Sequence, residues 1–224
     1  MCEGSLQLAQ ASGFSPYVDN GGTVLGLAGN DFAVCLADTR LSTGYRIHSR
    51  THHKFLKLTD SCVIASSGMQ ADIRTLHKLL QHQVEMYQSL HKRTPSIESL
   101  AQMLSGMLYQ RRFFPFYAFN ALIGLDKNGK GTVFDYDAIG SFQRSSHTSR
   151  GSGSSLATSI LDNQIQQNNQ ILKETTLTKL DMIHLAQDVM VSVAERDIYT
   201  GDSADVVIID ASGVHVSTLE LRKH

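Results

Sequence analysis

Apolar residues along this chain switch twice from alternation to steps of three and four and twice back, so sheets and helices must be interleaved in the fold. Between residues 23 and 67 the segments GTVLGLAG, DFAVCLAD, KFLKLTD and SCVIASSG read as strands, with Gly29-Asn30-Asp31 as a hairpin turn. From 68 to 93 the period changes: Ile73, Leu76, Leu79, Leu80, Val84, Tyr87 and Leu90 fall on one face of a long helix. Thr94-Pro95 supplies a cap and a first-turn proline for a second helix, roughly 96–112. Strands resume with FYAFNALIGLD, a KNGKG turn and GTVFDYDAIG. Helices are expected after Gly153 and over 177–195, and ADVVIIDASG with VHVSTLEL closes as a hairpin. An order of strands, two helices, strands, two helices, strands suits an α/β (α+β) fold of two stacked sheets with helices outside, four layers in all.

Composition narrows the function. The 224 residues fit one domain with a substantial core, and 42% hydrophobic against 18% charged residues describes a globular chain. A net charge of −1 gives no general pull toward nucleic acid or anionic membrane, and no apolar run reaches the roughly 20 residues of a membrane helix. MCEGSLQLAQASGFSPYVDN lacks the basic and apolar regions of a secretory signal. Of three cysteines, Cys35 and Cys62 sit in apolar runs and read as small core residues in a reducing compartment, cytoplasmic or nuclear.

Most candidate chemistries dissolve on inspection. The ten histidines form neither a helical pair with a carboxylate nor a cluster with cysteine, so no metal site is expected. RGSGSS at 150–155 lacks the lysine and spacing of a phosphate loop and reads as a tight turn entering a helix. RRFFPFYAF at 111–119 reads as two arginines ending a helix, then a strand of alternating aromatics, rather than a nucleic-acid patch. No acidic pair stands out as a general acid/base couple.

One constellation remains. NGGTVLGLAGNDFAVCLADTRLSTG, KFLKLTDSCVIASSGMQAD, GSGSSLATSILDNQ and AERDIYTGDSADVVIID resemble the β-type subunits of the 20S proteasome, from about Phe14 to Lys223. Within that family NGGT, LYQRRFFPFY and ERDIYTGD are most similar to the sixth β-type subunit, which carries no working nucleophile. The resemblance implies the N-terminal nucleophile hydrolase sandwich of layers α, β, β, α, which agrees with the order read above. It also implies an extension over 1–21 and a β-type domain over 22–224. No cofactor is implied. The implied partners are other α and β subunits in a 28-subunit stack of rings and polypeptide substrates in its chamber, not nucleic acid or membrane.

In active members the first residue after autocleavage is threonine, whose hydroxyl attacks and whose free amine takes the proton. The resemblance places the supporting frame on Asp38 and Arg40 of ADTR, Lys54, Ser152 of the GSGS loop, Asp197 and Thr200, the last standing where serine is usual. The nucleophile of active members lies sixteen residues before that aspartate and thirty-two before that lysine, and both counts end on Gly22. Thr23 is one residue late, and a one-residue shift along a strand turns a side chain to the opposite face. The expectation is a non-catalytic structural subunit of the 20S core that builds the β ring. The alternative is an active threonine peptidase using Thr23 after cleavage of the bond before it. Asp126, in the turn after FNALIGLD, is implied to form a wall of a neighbouring subunit's substrate pocket; read locally, it is a turn aspartate.

Overall fold

The structure, a computed structural model, describes residues 15–167 and 177–223. The expected extension over 1–21, the domain over 22–224 and a resemblance starting at Phe14 lie partly outside them. Two five-stranded sheets stack face to face. One has the order β10 (His147–Gly151), β1 (Thr23–Ala28), β2 (Ala33–Asp38), β11 (Ser203–Asp210), β12 (Gly213–Glu220). The other runs β5 (Phe55–Thr59), β6 (Cys62–Gly68), β7 (Ala118–Leu125), β8 (Gly131–Tyr136), β9 (Phe142–Ser145). Neighbouring strands within each sheet are antiparallel.

Strand alternation builds three apolar layers. Val24, Ala33, Cys35, Ala37, Val63, Ala65, Ile123 and Val207 meet between the sheets. Their neighbours in sequence face outward. Leu25, Leu27, Val34, Leu36 and Val206 pack on α3 (Ser154–Leu161) and α4 (Lys179–Ala194), through Leu161, Ala186, Met190 and Val193. Ile64 and Leu122 pack on α1 (Gln70–His91) and α2 (Ile97–Tyr109), through Leu76, Leu80, Leu100 and Leu104. Each of these large side chains contributes about 1.5–3 kcal/mol by leaving water, and together they fix the four-layer αββα sandwich. The sheets approach so closely at Gly26 that a Cβ there would lie 2.8 Å from Ile123 Cγ1.

Several local readings change. The short hairpin β3 (Leu41–Thr43) with β4 (Arg46–Ser49), and the strands β9 and β10, carry no apolar alternation to announce them. In β10 the buried residues are His147, Thr148 and Ser149, held by hydrogen bonds such as Thr148 Oγ1 to Asp135 at 2.6 Å. Leu79 and Leu90 of α1 are exposed, so the buried stripe is Ile73, Leu76, Leu80 and Val84. The cap of α2 is Ser96, accepting from Ser99 N, and Pro95 precedes the cap instead of opening the helix. The aromatics after Arg112 do not form a strand: Phe113 and Phe114 stand exposed in a loop and β7 begins only at Ala118. Between β10 and α3, RGSGSS does form the turn entering a helix.

Candidate functional site

The site lies where β1 begins. Lys54, just before β5, reaches across the gap between the sheets and donates to Asp38 Oδ1 at 2.8 Å, Asp38 O at 2.9 Å and Arg40 O at 2.5 Å. Three acceptors match the three protons of an ammonium. Asp38 in turn accepts from the main-chain N–H of Thr23 at 2.8 Å and of Arg40 at 3.2 Å. Both side chains are buried. Burial pushes the Lys54 amine below its ordinary range and the Asp38 carboxyl above its own, each opposed by the charge and hydrogen bond of the other.

Position 22 faces this pair. A Cβ built on Gly22 would lie 2.5 Å from Lys54 Nζ, 2.5 Å from Lys54 Cε and 2.7 Å from Asp38 Oδ1. The backbone there has φ of 90°, a conformation that residues with side chains seldom take. Gly22 therefore has no hydroxyl, and there is no space for one until Lys54 moves.

Thr23 points the other way, on the face of β1 that carries Leu25 and Leu27 toward the helices. Its hydroxyl accepts from Gly153 N at 3.1 Å and lies 2.7 Å from Thr200 Oγ1. Thr200 gives its own proton to Asp197 Oδ2 at 2.6 Å, so the Thr23 proton goes to Thr200. Ser152 also donates to Asp197 Oδ2, at 2.6 Å, and accepts from Gly22 N at 3.2 Å. Among the described residues no base is hydrogen-bonded to the Thr23 hydroxyl, and its nitrogen is an amide whose lone pair is delocalised. Thr23 is fully buried. Five of the six supporting residues thus fall into two groups: Lys54 and Asp38 on the Gly22 side, and Ser152, Asp197 and Thr200 on the Thr23 side.

Arg40 joins the first group through its main chain alone. Its buried guanidinium bonds Asp202 at 2.8 Å and the Ile198 carbonyl at 2.9 Å, tying β2 to the turn that carries Asp197 and Thr200. Asp202 also pairs with Arg50. Burial alone would raise the Asp202 carboxyl, but bonds from the two arginines hold it below the usual carboxylate range. Nothing in YTGD marks Asp202 for this role, which follows from its place beside the buried Arg40. Ser66, His77 and Asn120 were missed too. Ser66 donates to Asn120 Oδ1 at 2.7 Å and lies 2.8 Å from His77 Nε2. Burial pushes the His77 imidazole down to about 4.

Asp126 lies at the far end of the sandwich. Its Oδ1 accepts from Asn128 N at 2.8 Å and Lys130 N at 3.0 Å, and Oδ2 pairs with Arg144 at 3.2 Å. The Lys130 amide bond leads in holding this carboxyl below its ordinary range. It borders a cavity of about 560 Å³ with Asn30, Lys130 and Arg144. No group of His, Cys, Asp and Glu among the described residues is arranged to hold a metal ion. No helix among them is long and apolar enough to cross a membrane.

The sandwich, the Lys54–Asp38 pair and the Ser152–Asp197–Thr200 network coincide with a match of residues 18–209 to the proteasome subunit family. This chain belongs to that family. Similar proteins include proteasome subunit beta type-1 of Petunia hybrida, 47% identical with 96% of this chain and 98% of that protein covered. Proteasome subunit beta type-1 of Drosophila melanogaster is 46% identical over 94% and 91%. A probable proteasome subunit beta type-6 of Schizosaccharomyces pombe is 37% identical over 95% and 98%. The chain is thus a β-type proteasome subunit, a part of the complex that degrades proteins, with the N-terminal nucleophile hydrolase sandwich of that family. The expected sixth member corresponds in name to the 37% relative, whereas those at 44–47% are named beta type-1.

Proposed function

We propose that this subunit is non-catalytic and acts structurally, as the β-ring member corresponding to the relatives named beta type-1. One observation carries the reading: the position aimed at Lys54 and Asp38 is Gly22, with a Cβ-sized space already filled by lysine. The neighbouring hydroxyl of Thr23 is buried and its proton is directed at Thr200. An active enzyme would need that hydroxyl turned through half a strand repeat and the amide converted to an amine. In this reading the residues over 22–224 form the ring-building domain, the stretch over 1–21 remains attached, and Gly22, Asp38, Arg40, Lys54, Ser152, Asp197 and Thr200 brace the fold in place of performing chemistry.

The partners of such a subunit are the other α and β chains of a 28-subunit stack in the cytoplasm and nucleus, around a chamber that receives polypeptides. Exposed Tyr45, Phe113, Leu90 and Leu180 are the kind of surface that neighbours in a ring would cover. Asp126 then stands as a wall of a neighbouring subunit's substrate pocket, supported by its place at a cavity rim beside Arg144.

N-terminal mass mapping of the subunit from the assembled particle tests this, combined with an electrophilic probe that captures N-terminal threonines. The expected result is an unlabelled chain with residue 22 still joined to 23. A probe adduct on Thr23 at the N-terminus would overturn the assignment.

A further inference from the structure

The turn between α2 and β7 carries RRFFPFY, a motif that contributes nothing to the site around Gly22. Where α2 ends at Tyr109 the chain keeps coiling. Arg111 N, Arg112 N and Phe114 N each donate to the carbonyl three residues back, at 3.1, 3.0 and 3.0 Å. Pro115 follows, and its carbonyl accepts from the Tyr17 hydroxyl at 2.8 Å. Phe116 is buried, and the Phe114 ring stacks on Tyr17 with centroids 5.6 Å apart. The turn is a platform fixed by its own backbone and by rings at both ends.

What the platform presents is costly for a lone chain. Phe113 is 95% exposed, Phe114 59% and Tyr109 58%. Arg112 lies between two of these rings, its Cζ 5.7 Å from the Tyr109 centroid and 5.6 Å from that of Phe113. Its Nη1 donates to the Tyr109 hydroxyl at 3.3 Å. Arg111 lies over the Phe116 ring, 4.6 Å from its centroid. Stacking occupies the faces of both guanidinium groups and leaves most of their N–H edges unengaged. Among the described residues no carboxylate pairs with either, whereas Arg40, Arg50, Arg144, Arg150 and Arg222 each have one. A helix C-terminus favours positive charge, which accounts for the arginines but not for three exposed rings beside them.

We infer that this turn is a docking site for a carboxylate-bearing segment of one neighbouring subunit. An Asp or Glu of that segment meets the guanidinium edges of Arg111 and Arg112, and an apolar side chain beside it covers Phe113. Tyr, Phe and Arg are the residues enriched at the centres of protein interfaces. Guanidinium edges offer two parallel donors to a carboxylate, and arginines already held by rings lose little freedom on pairing. A net charge of −1 over the whole chain argues against nucleic acid as the occupant. The inference deepens the ring-member reading proposed above and rests on it.

The assembled particle is prepared with p-benzoylphenylalanine in place of Phe113 and irradiated, and crosslinked peptides are identified by mass spectrometry. Crosslinks are expected to one neighbouring subunit, at a stretch with Asp or Glu beside the attachment point. Adding Arg111→Gln and Arg112→Gln should lower their yield by about 10-fold. Crosslinks only within this chain, residues 1–14 included, overturn the docking site. So do crosslinks to a stretch without a carboxylate, or an unchanged yield in the glutamine variant. Salt-sensitive capture of a fluorescent single-stranded RNA, lost in that variant, would reassign the patch to nucleic acid. If the variant fails to assemble, modification of the unaltered particle by phenylglyoxal decides. Arg111 and Arg112 should react at least on the order of 10-fold more slowly than after dissociation in denaturant, and smaller protection overturns the docking site. The two readings fail separately. A particle purified without this chain sinks ring membership, whereas a chain present without these crosslinks sinks only the docking site.

Discussion

The two ends of β1 hold aspartates in opposite circumstances. At Gly22, Asp38 and Lys54 are buried together, and each is solvated only by the other and by main-chain groups. At the Gly29 end, Asp126 sits on a surface hairpin, holding turn amides and a half-exposed arginine. Removing one partner of a buried pair strands a charge where water cannot reach it, while removing Asp126 leaves an arginine that water already reaches. On the non-catalytic reading proposed above, the frame around Gly22 persists as architecture because its charges are buried in pairs.

The largest effect is expected for Lys54→Ala. It leaves Asp38 buried and unpaired and should cost about 3–5 kcal/mol of stability, read as loss of assembly or a large drop in thermal midpoint. A wild-type midpoint would break the contrast between the two ends.

A second test uses acid. His77 refuses a proton until about pH 4, whereas the unfolded chain takes one near the ordinary histidine value. As pH falls from about 6.5 to 4 the unfolded state gains a proton that the folded state excludes. Stability should then decline by about 1.4 kcal/mol per pH unit, roughly 3 kcal/mol in all. His77→Gln should flatten that part of the profile, and an unchanged slope would assign the acid sensitivity elsewhere.

Thr23→Val should cost about 1–3 kcal/mol, since it leaves the Gly153 amide without its acceptor in a buried position. It should leave all peptidase activities of the assembled particle unchanged. Gly22→Thr sharpens the same point: its side chain collides with Lys54, so destabilisation without autocleavage is expected, read by subunit mass.

The smallest effect on stability is expected for Asp126→Ala, whose arginine partner is half exposed, measured as a minor shift in midpoint. Its informative readout is peptide cleavage by the particle. Altered turnover of one substrate class, dependent on substrate charge, supports the pocket wall; equal change in all classes, or none, removes it.

Much of this was legible in the sequence because two periodicities do not imitate each other. Alternation in TVLGLA and AVCLAD fixed which residues enter the gap between sheets, and the one-residue offset of Thr23 from Asp38 and Lys54 sufficed to turn its hydroxyl to the helix side. Sequence could not announce β10, whose buried His147, Thr148 and Ser149 are made tolerable by partners distant in the chain. Nor could it show that Gly22 has no space for a side chain, that Asp202 anchors Arg40, or that Asn20 bridges β3, β6 and α1. Periodicity is a property of one segment and its own face. Pairing of buried polar groups depends on where segments meet, and that is decided only when the whole chain is packed.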